Sequence, residues 1–238
     1  MFYFLLTPFL TYDFILLAAA LIPAIFLMAK VYRSDRLERE SPYMLGNMVK
    51  AGILSSLIAL LLERVFSALL DATISDPGLY QVLLYFVVVA FSEEGAKYFM
   101  LRRSSWNSLE FDCQYDGVVY AVFVSLGFAL WENISYVLHY GFSTALVRAV
   151  TAVPGHACFG VFMGVFYGIA RKHENRRNHT ESSICQVLAV LVPALLHGAY
   201  DYIASTSTQE WSFIVFIAAL FVLSYALVTR SSRQDRYI

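Results

Sequence analysis

Three ionisable residues lie together inside an otherwise apolar stretch near the middle of the chain. Glu93, Glu94 and Lys97 fall between the apolar segments 79–90 and 99–101. A charge in a bilayer core costs at least ~2.5–3.5 kcal/mol on insertion scales, so such residues are rare there and usually functional. On a helix Lys97 reaches Glu94 at a spacing of three and Glu93 at a spacing of four. It could hold one glutamate ionised and leave the other free to accept a proton; alternatively, the cluster only fixes helix packing.

Five further polar residues interrupt the apolar segments that follow. Glu132 and Asn133 are adjacent in one segment, and His156 lies near the middle of the next. His197 and Asp201 are four residues apart in a third segment, so the aspartate can orient the imidazole on one helix face. A single histidine is usually a satisfied core residue, and Glu132 could equally be an interfacial glutamate. Histidines on two segments together with glutamates on a third favour a functional site.

Two chemistries fit these residue types. In one, a glutamate is the general base for a water molecule, and the histidines with the amide of Asn133 stabilise the oxyanion of peptide hydrolysis. In the other, a divalent metal such as zinc activates the water. The candidate metal ligands are Glu93, Glu132, His156 and His197. No H-E-x-x-H motif is present, so spacing does not choose between the two chemistries.

The composition indicates a membrane protein made of helices. Of 238 residues, 59% are hydrophobic and 15% are charged, against about 25% charged in average soluble domains. The net charge of −1 offers no argument for a nucleic-acid partner, and the three cysteines have no metal-binding spacing. We predict one integral membrane domain, residues 1–238, forming an all-α polytopic bundle with a bend at Pro154–Gly155. Seven apolar segments approach or exceed the ~20 residues that cross a bilayer: 14–32, 45–70, 79–101, 115–138, 146–170, 184–203 and 211–228.

Basic residues alternate from loop to loop. The loops after the first, third and fifth segments and the C-terminal tail are rich in arginine, whereas the other loops contain no lysine or arginine. The positive-inside rule therefore predicts an N-terminus outside, retained as an anchor, and a cytoplasmic C-terminus. Arg148, near the outer end of the fifth segment, could pair with a carboxylate, but we favour an anchor at the lipid headgroups. Glu63 is interpreted as snorkelling or paired, without a catalytic role.

Four short motifs on successive segments resemble those of a known family. EEGAK, FALWEN, HACFG and HGAYD begin at Glu93, Phe128, His156 and His197. Their order and placement are similar to those of the PrsW family of intramembrane proteases, which resembles the CAAX-prenyl endopeptidases. The resemblance covers nearly the whole chain and implies that Glu93 is the water-activating base. Glu132 stands where the prenyl endopeptidases carry a histidine. The family has been described both as metalloproteases and as glutamic proteases.

The resemblance implies roles for the other polar residues, with Glu94 and Lys97 as a supporting pair. The candidate catalytic residues are Glu93, Glu94, Glu132, His156 and His197, and the supporting residues are Lys97, Asn133 and Asp201.

We therefore predict an intramembrane endopeptidase in a prokaryotic plasma membrane. Its partners would be the lipid bilayer and a membrane-anchored protein substrate, for which the resemblance suggests an anti-sigma factor. A proton- or cation-coupled transporter would use intramembrane Glu, Lys and His residues equally well, although such proteins often show paired repeats and matching broken helices. A non-catalytic scaffold of the same fold is the remaining alternative.

Overall fold

The structure is helical throughout its membrane-spanning part. The computed structural model describes residues 2–206 and 209–238; for residues 2–14 and 210 it describes the backbone only. The helices, in chain order, are α1 (Phe2–Ser34), α2 (Pro42–Thr73), α3 (Pro77–Leu83), a π-helix (Leu84–Phe91), α4 (Ser92–Ser105), α5 (Asp116–Tyr140), α6 (Phe142–Val150), α7 (Ala152–Asn175), α8 (His179–Thr206) and α9 (Glu210–Arg233).

Seven segments within the described residues are long and apolar enough to cross a bilayer, which confirms the predicted all-α membrane fold. They are Ile15–Ser34, Pro42–Thr73, Pro77–Ser105, Asp116–Tyr140, Phe142–Asn175, His179–Thr206 and Trp211–Arg233. The third span contains α3, the π-helix and α4, and the fifth contains α6 and α7. The orientation of the chain in the membrane stays a prediction.

The interruption of the fifth span was predicted at the wrong place. It lies at Thr151, the single residue between the end of α6 and the start of α7, with φ −119° and ψ −76°, and not at Pro154–Gly155. Pro154 stands in the first turn of α7, where a missing backbone N–H costs no helical hydrogen bond. The proline therefore begins a helix here and does not bend one.

Helix α5 is the centre of the bundle. In its most apolar window 78% of the residues are buried, compared with 11% in the last span. Helix α7 meets α5 along Gly160, Gly164 and Gly168, which are spaced four apart and lie on one face. A Cβ added at any of them would fall within 3 Å of an atom of α5 or of the loop just before it, so a larger residue would collide there. Small residues at this spacing let membrane helices approach closely and gain van der Waals contact.

The π-helix determines how α8 approaches the polar residues of α4. It ends at Phe91, directly before Ser92 and Glu93, and π-helical turns are rare features that often occur at functional sites. Gly198 packs against it so tightly that an added Cβ would lie 2.5 Å from the ring of Phe86 and 2.9 Å from its Cα. This contact brings His197, the neighbour of Gly198, up to α4.

A prediction about stability follows from the packing of α5 on α7. We expect Gly164→Ala to lower the free energy of unfolding by ~1–3 kcal/mol, because the new Cβ would lie 2.4 Å from the Cα of Val118 and 2.5 Å from the carbonyl oxygen of Gly117. Gly46→Ala is the matched control, since nothing lies within 4 Å of its added Cβ and alanine is the better helix former. Thermal unfolding in detergent measures both, and equal stability of the two variants would contradict the packing.

Candidate active site

The site is built around the side chain of Lys97, which is completely buried. Its Nζ lies 3.1 Å from Glu93 Oε2, 2.7 Å from Glu94 Oε1 and 3.1 Å from His156 Nδ1. The ring of Phe128 covers the ammonium at 4.0 Å, a cation–π distance. Lys97 thus contacts both glutamates, whereas the sequence only suggested that it could reach either.

Lys97 also determines which nitrogen of His156 carries the proton. An ammonium has donors only, so Nδ1 of His156 must accept its hydrogen bond. The proton of a neutral imidazole is then on Nε2, which lies 2.8 Å from Glu132 Oε2 and donates to it. Both ring nitrogens of His156 are therefore occupied by protein partners, and the ring connects the Lys97 cluster on α4 to Glu132 on α5.

Glu132 is held by a second cation, Arg148, which the sequence analysis had interpreted as a headgroup anchor. Arg148 Nη2 lies 2.9 Å from Glu132 Oε2, so Arg148 pairs with a carboxylate and is not a headgroup anchor. The amide of Asn133 does not support the site directly. It is fully buried, donates to the carbonyl oxygen of Ala20 at 3.0 Å and accepts from Arg148 Nε at 2.9 Å. Tyr136 packs under the guanidinium at 4.0 Å.

His197 joins the site from α8. Its Nδ1 lies 3.0 Å from Glu94 Oε1, to which it donates, and its Nε2 lies 3.4 Å from Asp201 Oδ2. Phe159 stacks on the imidazole at a centroid distance of 4.7 Å and an angle of 19°. His197 thus lies beside Asp201, as the four-residue spacing suggested, but its distance to Glu94 is shorter.

A cavity of about 730 Å³ opens beside these residues. Glu93, with 7% of its surface exposed, reaches the wall, whereas Glu94 is completely buried behind it. The ionisable side chains on the wall are Glu63, Glu93, Glu132, Arg148, His156, His197 and Asp201. Sequence reasoning gave no site role to Glu63 or Arg148; the signal available for both was a charged residue within an apolar segment.

The cavity is displaced towards one end of the bundle. Its lining includes Glu63 near the end of α2, Ser135 near the end of α5 and Val147 in α6, together with Ala204 near the end of α8. These helix ends lead to the loops that contain no lysine or arginine. With the predicted orientation, the cavity therefore faces the outer half of the membrane.

Four residues of the site carry donor atoms of the kind that bind zinc. Glu93, Glu94, His156 and His197 offer ligand atoms that lie within 4.8 Å of one another, and these residue types bind zinc. However, Lys97 Nζ already lies within 3.1 Å of three of those atoms. A zinc ion at its usual ~2.0–2.2 Å from the same atoms would lie against the ammonium. The donors therefore do not fit a metal while Lys97 lies among them.

Comparison with known proteins identifies relatives over most of the chain. Residues 40–228 match the model of a family described as "PrsW family intramembrane metalloprotease". A protein named "Protease PrsW" from Halalkalibacterium halodurans is 32% identical over 228 residues, covering 94% of this chain and 100% of that protein. The "Protease PrsW" of Bacillus subtilis is 31% identical over 225 residues, covering 94% and 97%. The same-named protein of Clostridioides difficile is 32% identical over 210 residues, covering 86% and 84%. No solved structure matches the chain significantly.

A prediction follows from the contacts of Lys97. We expect Lys97→Met to lower stability by ~3–5 kcal/mol, because it leaves two buried carboxylates without their cation. Adding Glu94→Gln should recover part of the loss, because it removes one of the two uncompensated charges. Lys50→Met, at an exposed lysine of α2, is the control. Thermal unfolding compares the four proteins, and a Lys97→Met protein as stable as the control would contradict the role of Lys97.

Proposed function

This chain belongs to the PrsW family of intramembrane proteases, and we propose how it acts. Glu93 activates a water molecule, which hydrolyses a peptide bond of a membrane-anchored protein. The observation that carries this proposal is the position of Glu93. It is the one member of the Lys97 cluster that brings a carboxylate to the cavity wall, while its neighbour Glu94 is fully buried. A general base must reach water and substrate as well as its own supporting groups.

The proton transfers balance with Glu93 alone as base and acid. Its carboxylate takes a proton from water as the water oxygen attacks the carbonyl carbon of the scissile bond. The protonated Glu93 then gives this proton to the amide nitrogen, the C–N bond breaks, and an amine and a carboxylic acid result. Lys97 Nζ lies 3.1 Å from the carboxylate of Glu93 and 2.7 Å from that of Glu94. Lys97 and Glu94 are therefore positioning residues, and Glu93 is the residue that exchanges protons.

The negative charge that develops on the carbonyl oxygen needs donors on the cavity wall. Arg148 and His197 are suited to this role, because both line the cavity and carry N–H groups. Arg148 Nη2 is in ion-pair range of Glu132 but has no aligned hydrogen bond, so it can turn to a substrate oxygen. His156 is less suited, since Lys97 and Glu132 occupy both of its nitrogens. Asp201 positions His197.

The location of the cavity supports a substrate that enters from the membrane. It lies within a bundle of seven apolar spans, and its wall carries the aromatic side chains of Trp131, Tyr136, Tyr200 and Phe213 next to the acids. A locally unwound segment of a membrane-anchored protein would supply the peptide bond. The bacterial sources of the relatives support a home in a prokaryotic plasma membrane.

The test is a substitution that removes the base and little else. We expect Glu93→Gln to reduce cleavage of a single-span reporter protein by at least ~10²–10⁴-fold, the usual contribution of a general base. The uncharged amide keeps the size of the side chain, so the variant should remain folded. Cleavage is followed in liposomes, and mass spectrometry of the fragments identifies the bond.

Glu38→Gln is the matched control, because Glu38 is exposed and lies outside the bundle between α1 and α2. It should cleave like the unmodified protein. Full activity in a Glu93→Gln protein with unchanged thermal stability would refute the mechanism. Loss of activity together with loss of folding would instead be resolved by Glu93→Asp, which keeps the carboxylate but withdraws it from its partners and should retain a reduced rate.

A further inference from the structure

A second group of buried carboxylates lies at the opposite end of the bundle from the cavity. Asp35 follows the end of α1, Glu40 precedes α2, and Asp116 is the first residue of α5. Their exposed fractions are 5%, 6% and 1%. One carboxylate oxygen from each lies within 4.8 Å of the other two. Three acids from separate segments therefore converge at a point that the hydrolytic mechanism does not use.

One member of this group, Asp35, has a carboxylate without an aligned hydrogen bond. Asp116 Oδ2 accepts from the backbone N–H groups of Cys113 at 2.6 Å and Asp112 at 3.1 Å. Glu40 accepts the hydroxyl of Tyr120. Both carboxylate oxygens of Asp35 are buried without an aligned hydrogen-bond partner. Since buried polar groups are nearly always paired, the oxygens of Asp35 indicate a partner that binds between the carboxylates.

That partner should carry positive charge. Across residues 15–206 and 209–238, none of the three carboxylates makes a salt bridge with lysine, arginine or histidine. Asp235 of the C-terminal tail adds a further buried carboxylate oxygen without a partner and acts on Asp35 electrostatically. Arg39 and the backbone N–H groups of Arg36 and Leu37 favour the charged form of Asp35, but none of them makes a salt bridge or an aligned hydrogen bond with its carboxylate.

We propose that Asp35, Glu40 and Asp116 bind one hard divalent cation, Mg²⁺ or Ca²⁺. Oxygen-only ligands are those that both ions prefer, at ~2.0–2.1 Å for Mg²⁺ and ~2.3–2.6 Å for Ca²⁺. Ligand atoms on one such ion are at most ~4–5 Å apart, and one oxygen from each of the three carboxylates lies within 4.8 Å of the others. Asp35 would supply carboxylate oxygens that have no aligned hydrogen bond in the protein.

The cation would fasten the ends of three helices. It would link the connection between α1 and α2 to the start of α5, the central helix of the bundle. The C-terminal tail packs at the same place, where Gln114 N–H donates to the Arg236 carbonyl at 3.1 Å and Ile238 N–H donates to the Asp112 carbonyl at 2.8 Å. The site is thus structural, and it acts on the stability of the scaffold at the end away from Glu93.

The experiment measures thermal unfolding of the purified full-length protein in detergent after chelation and dialysis. Mg²⁺ or Ca²⁺ is then added at constant ionic strength. At a concentration ~100-fold above the dissociation constant we expect the Tm to rise by roughly 5–10 °C. Asp35→Asn should abolish most of this rise, and Glu38→Gln, an exposed acid three residues away, should retain it. Equilibrium dialysis of the unmodified protein should give one bound ion per chain, and the ion that binds more tightly identifies the occupant.

Two results would overturn the proposal. One is a Tm of the unmodified protein that neither cation changes; the other is a rise that Asp35→Asn and Glu38→Gln share equally. Glu93→Gln should leave the cation response intact, which separates this site from the cavity. Should Asp35→Asn fail to fold, the stoichiometry from dialysis still decides.

Discussion

The burial of one ammonium among two carboxylates and an imidazole is the interaction on which the candidate active site depends. Lys97 is completely enclosed, and its three donors are directed to Glu93, Glu94 and His156. A charge in such a place is tolerated only with close partners, so each contact of Lys97 is strongly determined. The contacts fix the tautomer of His156, orient Glu93 towards the cavity and leave Glu94 to hold His197. One cation thereby organises side chains from α4, α7 and α8.

The helices must approach closely for this cluster to form, and small side chains allow it. The glycines of α7 bring that helix against α5, and Gly198 brings α8 against the π-helix before Glu93. Around this tightly packed interior, the exposed surfaces of α2 and α9 carry large apolar side chains such as Leu61 and Val222, as contact with lipid requires. The cavity is the place where close packing gives way, and the carboxylate of Glu93 reaches its wall.

Much of this organisation could be predicted from the sequence, because a bilayer restricts what a chain can do. Hydropathy predicted the seven spans. Ionisable residues within apolar segments indicated a site made of Glu93, Glu94, Lys97, Glu132, His156 and His197, and the structure brings these residues together. The partners of Arg148 and Asn133 were missed, since pairing across α5 and α6 depends on the rotation of both helices. The π-helix has no signature in residue type, so its presence before Glu93 was not foreseen. The four-residue spacing of Gly160, Gly164 and Gly168 was a signal that could have predicted the contact between α5 and α7.

The central claim is that an ammonium, and not a metal ion, lies among the acids and histidines of the site, so that Glu93 activates water by itself. The most direct test is the metal content of purified, active protein, measured by mass spectrometry together with reporter cleavage before and after treatment with a chelator that removes zinc. With Lys97 in this position we expect far less than one zinc per chain and cleavage that the chelator leaves unchanged. Stoichiometric zinc, with cleavage lost on its removal and recovered on its return, would contradict it and would require Lys97 to leave the position it occupies.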